Sequence, residues 1–183
     1  MPFPRARKKS EPLNEAALYE YAAGALGRRM RTVAELTRLM RKRVEPGESG
    51  QAKIDAVLAR LKEYDYLNDA DYAATYAKLR QENAHFGKRR VRQDLTVKGV
   101  HAEVIAATLD AAYENVNEEA LARRHLERKG VKKPANEKEA ARVMRMLMRA
   151  GFSTGVIFSI LKNWDVADET LAGLESVEED QAD

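Results

Sequence analysis

The chain contains no cysteine among its 183 residues, which excludes disulfides, thiolate nucleophiles and thiolate metal sites. No stretch approaches the roughly eighteen uninterrupted apolar residues that a membrane span requires. The basic N-terminus is followed by a segment that Glu15 and Glu20 interrupt, so it does not form a signal-peptide core. Three of the five prolines lie in the first twelve residues, which permits long helices in nearly all of the rest. These absences predict a cytoplasmic protein without membrane contact.

Positive charge is concentrated in the body of the chain. The formal net charge is only +3, but no lysine or arginine follows Lys162, whereas eight of the 29 acidic residues lie from Asp165 onward. Residues 1–164 therefore carry 32 basic and 21 acidic side chains. This surplus predicts a polyanionic partner or an acidic protein surface.

Apolar residues recur at helical spacing along most of the chain, which predicts nine helices and an all-α protein. Thr32 with Glu35 and Asn136 with Glu139 have the spacing of capping boxes. Three further asparagines precede predicted helices and are expected to accept hydrogen bonds from first-turn amides: Asn14, Asn68 and Asn117.

The helices form internal repeats. The segments 95–109 and 147–161 superpose at an offset of 52, and Leu39 aligns with Leu95 at an offset of 56 to give a third copy. Gly99 and Gly151 occupy the same position and predict left-handed helix C-termini, where the first copy has Arg43 and a longer loop. Each copy is too small to form a core alone, so we expect an elongated, curved stack of three-helix repeats. The predicted divisions are a disordered basic arm at 1–12, repeats at 13–66, 67–115 and 116–164, and a disordered acidic tail at 165–183.

Four motifs resemble those of one bacterial protein family, the RecX regulators of the RecA recombinase. The motifs are RTVAELTRLMRKRV (31–44), LNDADYAATYAKLR (67–80), GKRRVRQDLTVKGV (87–100) and VIAATLDAA (104–112). The resemblance covers roughly residues 16–164 and departs from the family at Thr32, Arg43 and the inserted loop. It implies an all-helical, three-repeat protein that binds in the groove of the RecA filament on DNA. It also implies modulation, usually inhibition, of recombination and of the coprotease activity in the SOS response.

The middle helix of each predicted repeat carries a basic face, because its cations are spaced at i, i+3, i+4 or i+7. The alternative interpretation is a solvated outer surface, which is the default for charged helical residues. We take these cations, together with the adjacent Arg90, as candidate contacts with a filament or DNA: Arg38, Arg41, Lys42, Lys88, Arg89, Arg90, Arg92, Arg142, Arg145 and Arg149.

No motif in the sequence predicts catalysis, a cofactor or a metal ion. Asp65, Asp69 and Asp71 lack calcium-loop spacing and suit helix termini better. The three histidines have no ligand spacing, and there is no phosphate loop or nucleophile elbow. Together with these absences, the family resemblance implies a monomeric, non-enzymatic regulator that binds the RecA filament on single-stranded DNA, and weak direct DNA contact is also considered. The alternatives are a free-standing helical DNA-binding protein and an interaction scaffold.

Overall fold

A computed structural model describes residues 11–166, and over this range the protein contains nine α-helices, one π-helical turn and no strand. The helices are α1 (Glu15–Arg28), α2 (Val33–Met40), α3 (Glu48–Glu63), α4 (Asp69–Leu79), α5 (Lys88–Val97), α6 (Ala102–Tyr113), α7 (Glu118–Arg128), α8 (Glu137–Arg149) and α9 (Thr154–Asn163). The π-helical turn, Arg80–Ala84, directly follows α4. The all-α class is confirmed. The predicted arm and tail lie almost entirely outside the described residues.

All five predicted cap residues accept a hydrogen bond from a first-turn amide, whereas the glutamates of the two predicted capping boxes bond elsewhere, Glu35 to Lys98 and Glu139 to the Ala135 amide. The side chain of Thr32 accepts a hydrogen bond from the Glu35 amide at 3.0 Å, and Asn136 does the same for Glu139. The other three accept from amides in the first turns of α1, α4 and α7: Asn14, Asn68 and Asn117. These side chains satisfy amides that have no partner within their helices, which is why the helices begin where the sequence indicated.

The described chain divides into two compact units, residues 11–72 with 98–100 and residues 73–97 with 101–166. In the first unit, apolar faces of α1, α2 and α3 enclose a core that includes Leu18, Leu36, Ile54 and Leu61. In the second unit, α7, α8 and α9 enclose the largest core cluster, which contains Phe152. The division between the units falls within α4, after Tyr72, whereas the sequence analysis placed the end of the first repeat at residue 66.

The assignment of residues 98–100 to the first unit has a local cause. Gly99 has a φ of +81°, and a Cβ there would lie 2.5 Å from the Cβ of Ala34 in α2. The hydroxyl of Thr32 also donates a 2.7 Å hydrogen bond to the carbonyl of Lys98. The turn after α5 therefore packs against the start of α2.

The same kind of contact, in which a glycine turn packs against the start of a helix, recurs in the second unit, and we call each of these contacts a glycine joint. Gly151 has a φ of +88°, and a Cβ there would meet the backbone nitrogen of Arg90 in α5. The amide of Gly87 donates to the carbonyl of Ala150 at 2.8 Å. The left-handed conformation predicted for both glycines is confirmed, and close backbone approach is a second reason why only glycine fits.

The predicted alignment of the first repeat is wrong by one residue. Met40 is fully buried, as Leu95 is in α5, whereas Leu39 is only partly buried. The offset between these middle helices is therefore 55. The error arose because Leu39 and Met40 are both apolar, so sequence similarity alone favoured the leucine. The longer first-repeat connection is confirmed, since residues 41–47 join α2 to α3 and Gly47 has a φ of +102°.

Candidate functional site

The start of α5 has an unusual distribution of charge. Its first three residues are Lys88, Arg89 and Arg90, and its first turn contains no acid. Acidic residues occupy the first turns of α2, α4, α7 and α8. Because the N-terminus of a helix carries partial positive charge, three cations there oppose folding and attract an anion from outside.

A side-chain cap at α5 is sterically excluded. The residue before the helix is Gly87, and a Cβ at this position would meet the carbonyl oxygen of Gly151. The tight joint between the α8–α9 turn and α5 therefore leaves no room for the kind of cap that Thr32 gives α2. The start of α5 therefore has neither a side-chain cap nor an acid in its first turn, and it carries three cations.

The α5 cations line a groove, which we name the α5 groove. It has a volume of about 660 Å³ and lies within the second unit. Its lining residues are Lys88, Arg89, Arg92, Asp110, Tyr113, Glu114, Val116, Glu118, Gly151 and Ser153. The sequence predicted three of these as site residues, and the fold adds acidic and hydroxyl groups from α6, α7 and the turn before α9.

One cation of the α5 groove is already paired. Lys88 Nζ lies 2.6 Å from an oxygen of Asp110, and both side chains are exposed to solvent. The hydrogen bond from Lys88, together with the more distant charge of Arg92, lowers the pKa of Asp110. A pair in this solvated position contributes little to stability and exchanges readily for another partner.

Arg89 and Arg92 are exposed and form no ion pair with any residue between 11 and 166. Their guanidinium groups line the groove without an ion-pair partner, although the groove also contains acids and the charge of Arg92 acts on Asp110 at a distance. Planar guanidinium groups suit bidentate contact with carboxylate or phosphate. These two arginines are the strongest candidates among the ten predicted site residues.

Arg90 differs from its neighbours. Its Nε lies 3.1 Å from an oxygen of Asp94, and its guanidinium lies over the Phe86 ring at 5.7 Å. Its backbone nitrogen is the atom that Gly151 approaches. Arg90 does not line the α5 groove, and although its side chain is 40% exposed, its charge is engaged by Asp94 and the Phe86 ring.

The walls of the α5 groove are fixed by contacts between distant segments. Glu118 accepts hydrogen bonds from the amide and the hydroxyl of Ser153, at 2.8 and 2.9 Å. The hydroxyl of Tyr113 donates to the carbonyl of Phe86 at 2.8 Å, and burial raises the pKa of Tyr113 to about 12. No periodic pattern could have revealed these pairs, because the partners are far apart in sequence.

The remaining predicted cations are exposed but are not brought into the α5 groove. Arg38, Arg41 and Lys42 lie on α2 and the turn after it, in the first unit. On α8, Arg145 and Arg149 are exposed, and Arg142 lines a separate pocket with three lysines that the sequence analysis missed: Lys129, Lys132 and Lys133.

Among residues 11–166 there is no group of histidine and acidic side chains arranged to hold a metal ion. None of the helices in this range is both long and apolar enough to cross a bilayer. Asp69 and Asp71 lie in the first turn of α4, where Asp69 accepts a hydrogen bond from the Val33 amide at 2.8 Å. Two of the three acids considered for a metal site therefore lie at a helix terminus.

Family models match two parts of the chain. Residues 68–109 match the second three-helix domain of RecX, and residues 117–161 match the third. A protein described as regulatory protein RecX from Leptothrix cholodnii is 36% identical over 137 residues, which cover 75% of this chain and 82% of the relative.

Two further similarities agree with this match. Regulatory protein RecX from Mycobacterium ulcerans is 34% identical over 155 residues, covering 83% of this chain and 87% of the relative. The crystal structure of RecX from Lactobacillus salivarius superposes with a TM-score of 0.64 at 19% identity, covering 84% of this chain and 97% of the other. At this level of identity, the structural similarity shows a shared fold.

Proposed function

The chain belongs to the RecX family of regulatory proteins, and from this premise we propose that it binds the RecA filament on single-stranded DNA and inhibits strand exchange and coprotease activity. The α5 groove is the proposed principal contact, with acidic groups of the filament bound at the start of α5. The observation that carries the proposal is the exposed pair Arg89 and Arg92 beside a helix start without acids. The action takes place in the cytoplasm, where the filament forms.

Binding alone is sufficient for regulation. A ligand shifts an equilibrium when it binds one state more tightly than another, and the filament has extended and disassembled states. Cations on α2, α5 and α8 are proposed to contact neighbouring protomers in the filament groove, which would block incoming DNA or repressor. This mechanism requires no covalent chemistry, no cofactor and no second copy of the chain.

The test measures RecA-catalysed ATP hydrolysis and strand exchange on single-stranded DNA as the protein is added. We expect inhibition at less than one molecule per RecA protomer. The double variant Arg89→Glu/Arg92→Glu should need at least tenfold more protein for the same inhibition, because each reversal replaces an attraction with a repulsion.

A matched control separates the site from total charge. Arg28 and Arg124 are exposed arginines outside the α5 groove, so Arg28→Glu/Arg124→Glu changes net charge equally. Inhibition by this control should stay within about twofold of the unmodified protein. Equal losses in both variants would mean that the α5 groove is not the contact.

A further inference from the structure

A second basic pocket lies in the third repeat, between the end of α7 and the body of α8. It has a volume of about 330 Å³, and we name it the lysine pocket. Its lining residues are Lys129, Gly130, Val131, Lys132, Lys133, Pro134, Glu139, Arg142, Val143 and Met146. It shares no lining residue with the α5 groove, so it is a separate surface of the second unit.

The positive charge of the lysine pocket is not neutralised from within. Lys129, Lys132 and Arg142 are exposed and make no ion pair among residues 11–166. The single acid in the lining, Glu139, accepts a hydrogen bond from the Ala135 amide at 2.8 Å. Four cations around one concave surface with one engaged carboxylate create a local attraction for an anion.

A carboxylate already occupies the rim of the lysine pocket. Lys133 Nζ lies 2.8 Å from an oxygen of Asp165, and the side chain of Asp165 is 86% exposed. The hydrogen bond from Lys133 lowers the pKa of Asp165. Because the pair is solvated, a multivalent anion can displace Asp165 at little cost.

The floor of the lysine pocket is apolar. Val143 is buried, and Val131 and Met146 are partly buried in the core cluster beneath it. Cations arranged around an apolar floor match a nucleotide, whose phosphate is charged and whose base has an apolar face. A carboxylate-rich peptide would satisfy the cations but gives the floor no comparable partner. Duplex DNA keeps its bases stacked inside the helix, which favours a single strand.

We propose that the lysine pocket binds the phosphate backbone of single-stranded nucleic acid, with a base against the floor formed by Val131, Val143 and Met146. Asp165 acts as a weak internal competitor at Lys133. The pocket contains no aromatic side chain, so binding is modest and tolerant of sequence. This site does not require the recombinase, and its test therefore succeeds or fails separately from the filament assay.

The test titrates the full-length protein into a fluorescent oligothymidine at two salt concentrations, without RecA. Lys129→Glu/Lys132→Glu should weaken binding at least tenfold at low salt. The slope of log affinity against log salt should fall by about 1.4, since each lost phosphate contact removes about 0.7 on a single strand. The matched control Lys78→Glu/Lys162→Glu reverses two exposed lysines elsewhere and should change affinity less than threefold.

A second variant predicts the opposite sign. Asp165→Asn frees Lys133 and should tighten binding two- to fivefold, whereas Glu103→Gln, which removes an exposed acid on α6, should have a smaller effect. Circular dichroism confirms that each variant is folded. Affinity that is equal in the lysine variant and its control would overturn the proposal.

Two competitors identify the ligand. Unlabelled oligothymidine should displace the probe far better than either a duplex of equal length or polyglutamate of equal charge. Equal displacement by the duplex would overturn the single-strand assignment. Preferential displacement by polyglutamate would identify an acidic protein segment as the ligand and overturn the nucleic-acid proposal.

Discussion

The middle helices of the first two repeats begin in opposite ways. α2 begins with a buried threonine cap, and Glu35 in its first turn lies 3.3 Å from Lys98 Nζ. α5 begins after Gly87, which has no side chain to act as a cap, with three cations in its first turn. The start of the middle helix is thus stabilised by a cap and an acid in the first repeat, whereas in the second repeat it has neither and carries three cations. Local conflict of this kind is expected where a surface serves binding.

The largest expected effect is at the two glycine joints. Gly151→Ala should lower the free energy of unfolding by about 3 kcal/mol, and Gly99→Ala by about 2 kcal/mol, because both combine a left-handed φ with overpacking. Position 151 is the more sensitive, because a Cβ there meets the backbone of Arg90, whereas a Cβ at position 99 meets only the Cβ of Ala34. Denaturant unfolding of both variants measures the difference.

A double variant sharpens this comparison. Ala34→Gly removes the atom that a Cβ at position 99 would meet, so Gly99→Ala should cost less in that background. Coupling of less than about 0.3 kcal/mol, the ordinary limit of additivity, would show that the close approach to Ala34 is unimportant.

The next effect concerns the side-chain cap that α2 has and α5 lacks. The hydroxyl of Thr32 is fully buried, accepts from Glu35 and donates to the carbonyl of Lys98. Thr32→Val keeps the volume but removes both hydrogen bonds and should cost about 2 kcal/mol. Thr32→Ser retains the hydroxyl and serves as the control in thermal unfolding. A valine variant as stable as the serine variant would contradict the assigned role of the cap.

Charge substitutions at the two helix starts should act with opposite sign. Glu35→Lys places a cation at the start of α2 and should destabilise by about 1 kcal/mol. Arg89→Glu removes a cation from the start of α5 and should stabilise by about 0.5 kcal/mol, while it weakens filament binding. Thermal melts of the two variants test the signs. Destabilisation by Arg89→Glu would mean that the cations at the start of α5 are not repelled by the positive end of the helix dipole.

The smallest effect is a pH dependence confined to the second unit. His125 is buried between Phe86 and Phe152, and its Nδ1 hydrogen-bonds the carbonyl of Ala84 at 2.9 Å. Burial lowers the pKa of His125 below its usual 6.5. Because the unfolded chain takes up this proton more readily, stability should be complete above pH 6.5 and should decline as the pH falls below it.

Hydrogen exchange at pH 7.0 and 5.5 measures this dependence separately in each unit. Amides of α7 and α9 should lose protection at the lower pH, after correction for intrinsic exchange, while those of α1 and α3 should not. His125→Gln keeps a donor for Ala84 and should remove the difference. Equal acid sensitivity of both units in the unmodified protein would contradict the role of His125.

Much of the fold could be predicted because it depends on local signals. Helical periodicity, five cap side chains and two turn glycines lie within a few residues of the structure they determine. The repeat at positions 99 and 151 was visible for the same reason. The one-residue error at Leu39 occurred where two adjacent apolar residues made the local pattern ambiguous.

The candidate site was harder to predict because it depends on distant contacts. The sequence identified Arg89 and Arg92 but could not separate them from Arg90, whose partners become apparent only when Gly151 is seen against α5. The pairing of Glu118 with Ser153 and the pocket around Lys129 likewise arise from tertiary packing. Charge on a helix face can be read from spacing, whereas its neutralisation by other segments cannot.

The most direct test of the α5 groove as the filament contact is site-specific crosslinking, for which the absence of cysteine is convenient. Gln93 is exposed on α5, one helical turn after Arg89, so Gln93→Cys places a photoactivatable probe beside the groove without removing a cation. Ala59→Cys on the exposed face of α3 is the control. The account predicts efficient crosslinking to RecA on single-stranded DNA from position 93 and little from position 59. Equal yields from both positions, or a yield from position 59 alone, would contradict it.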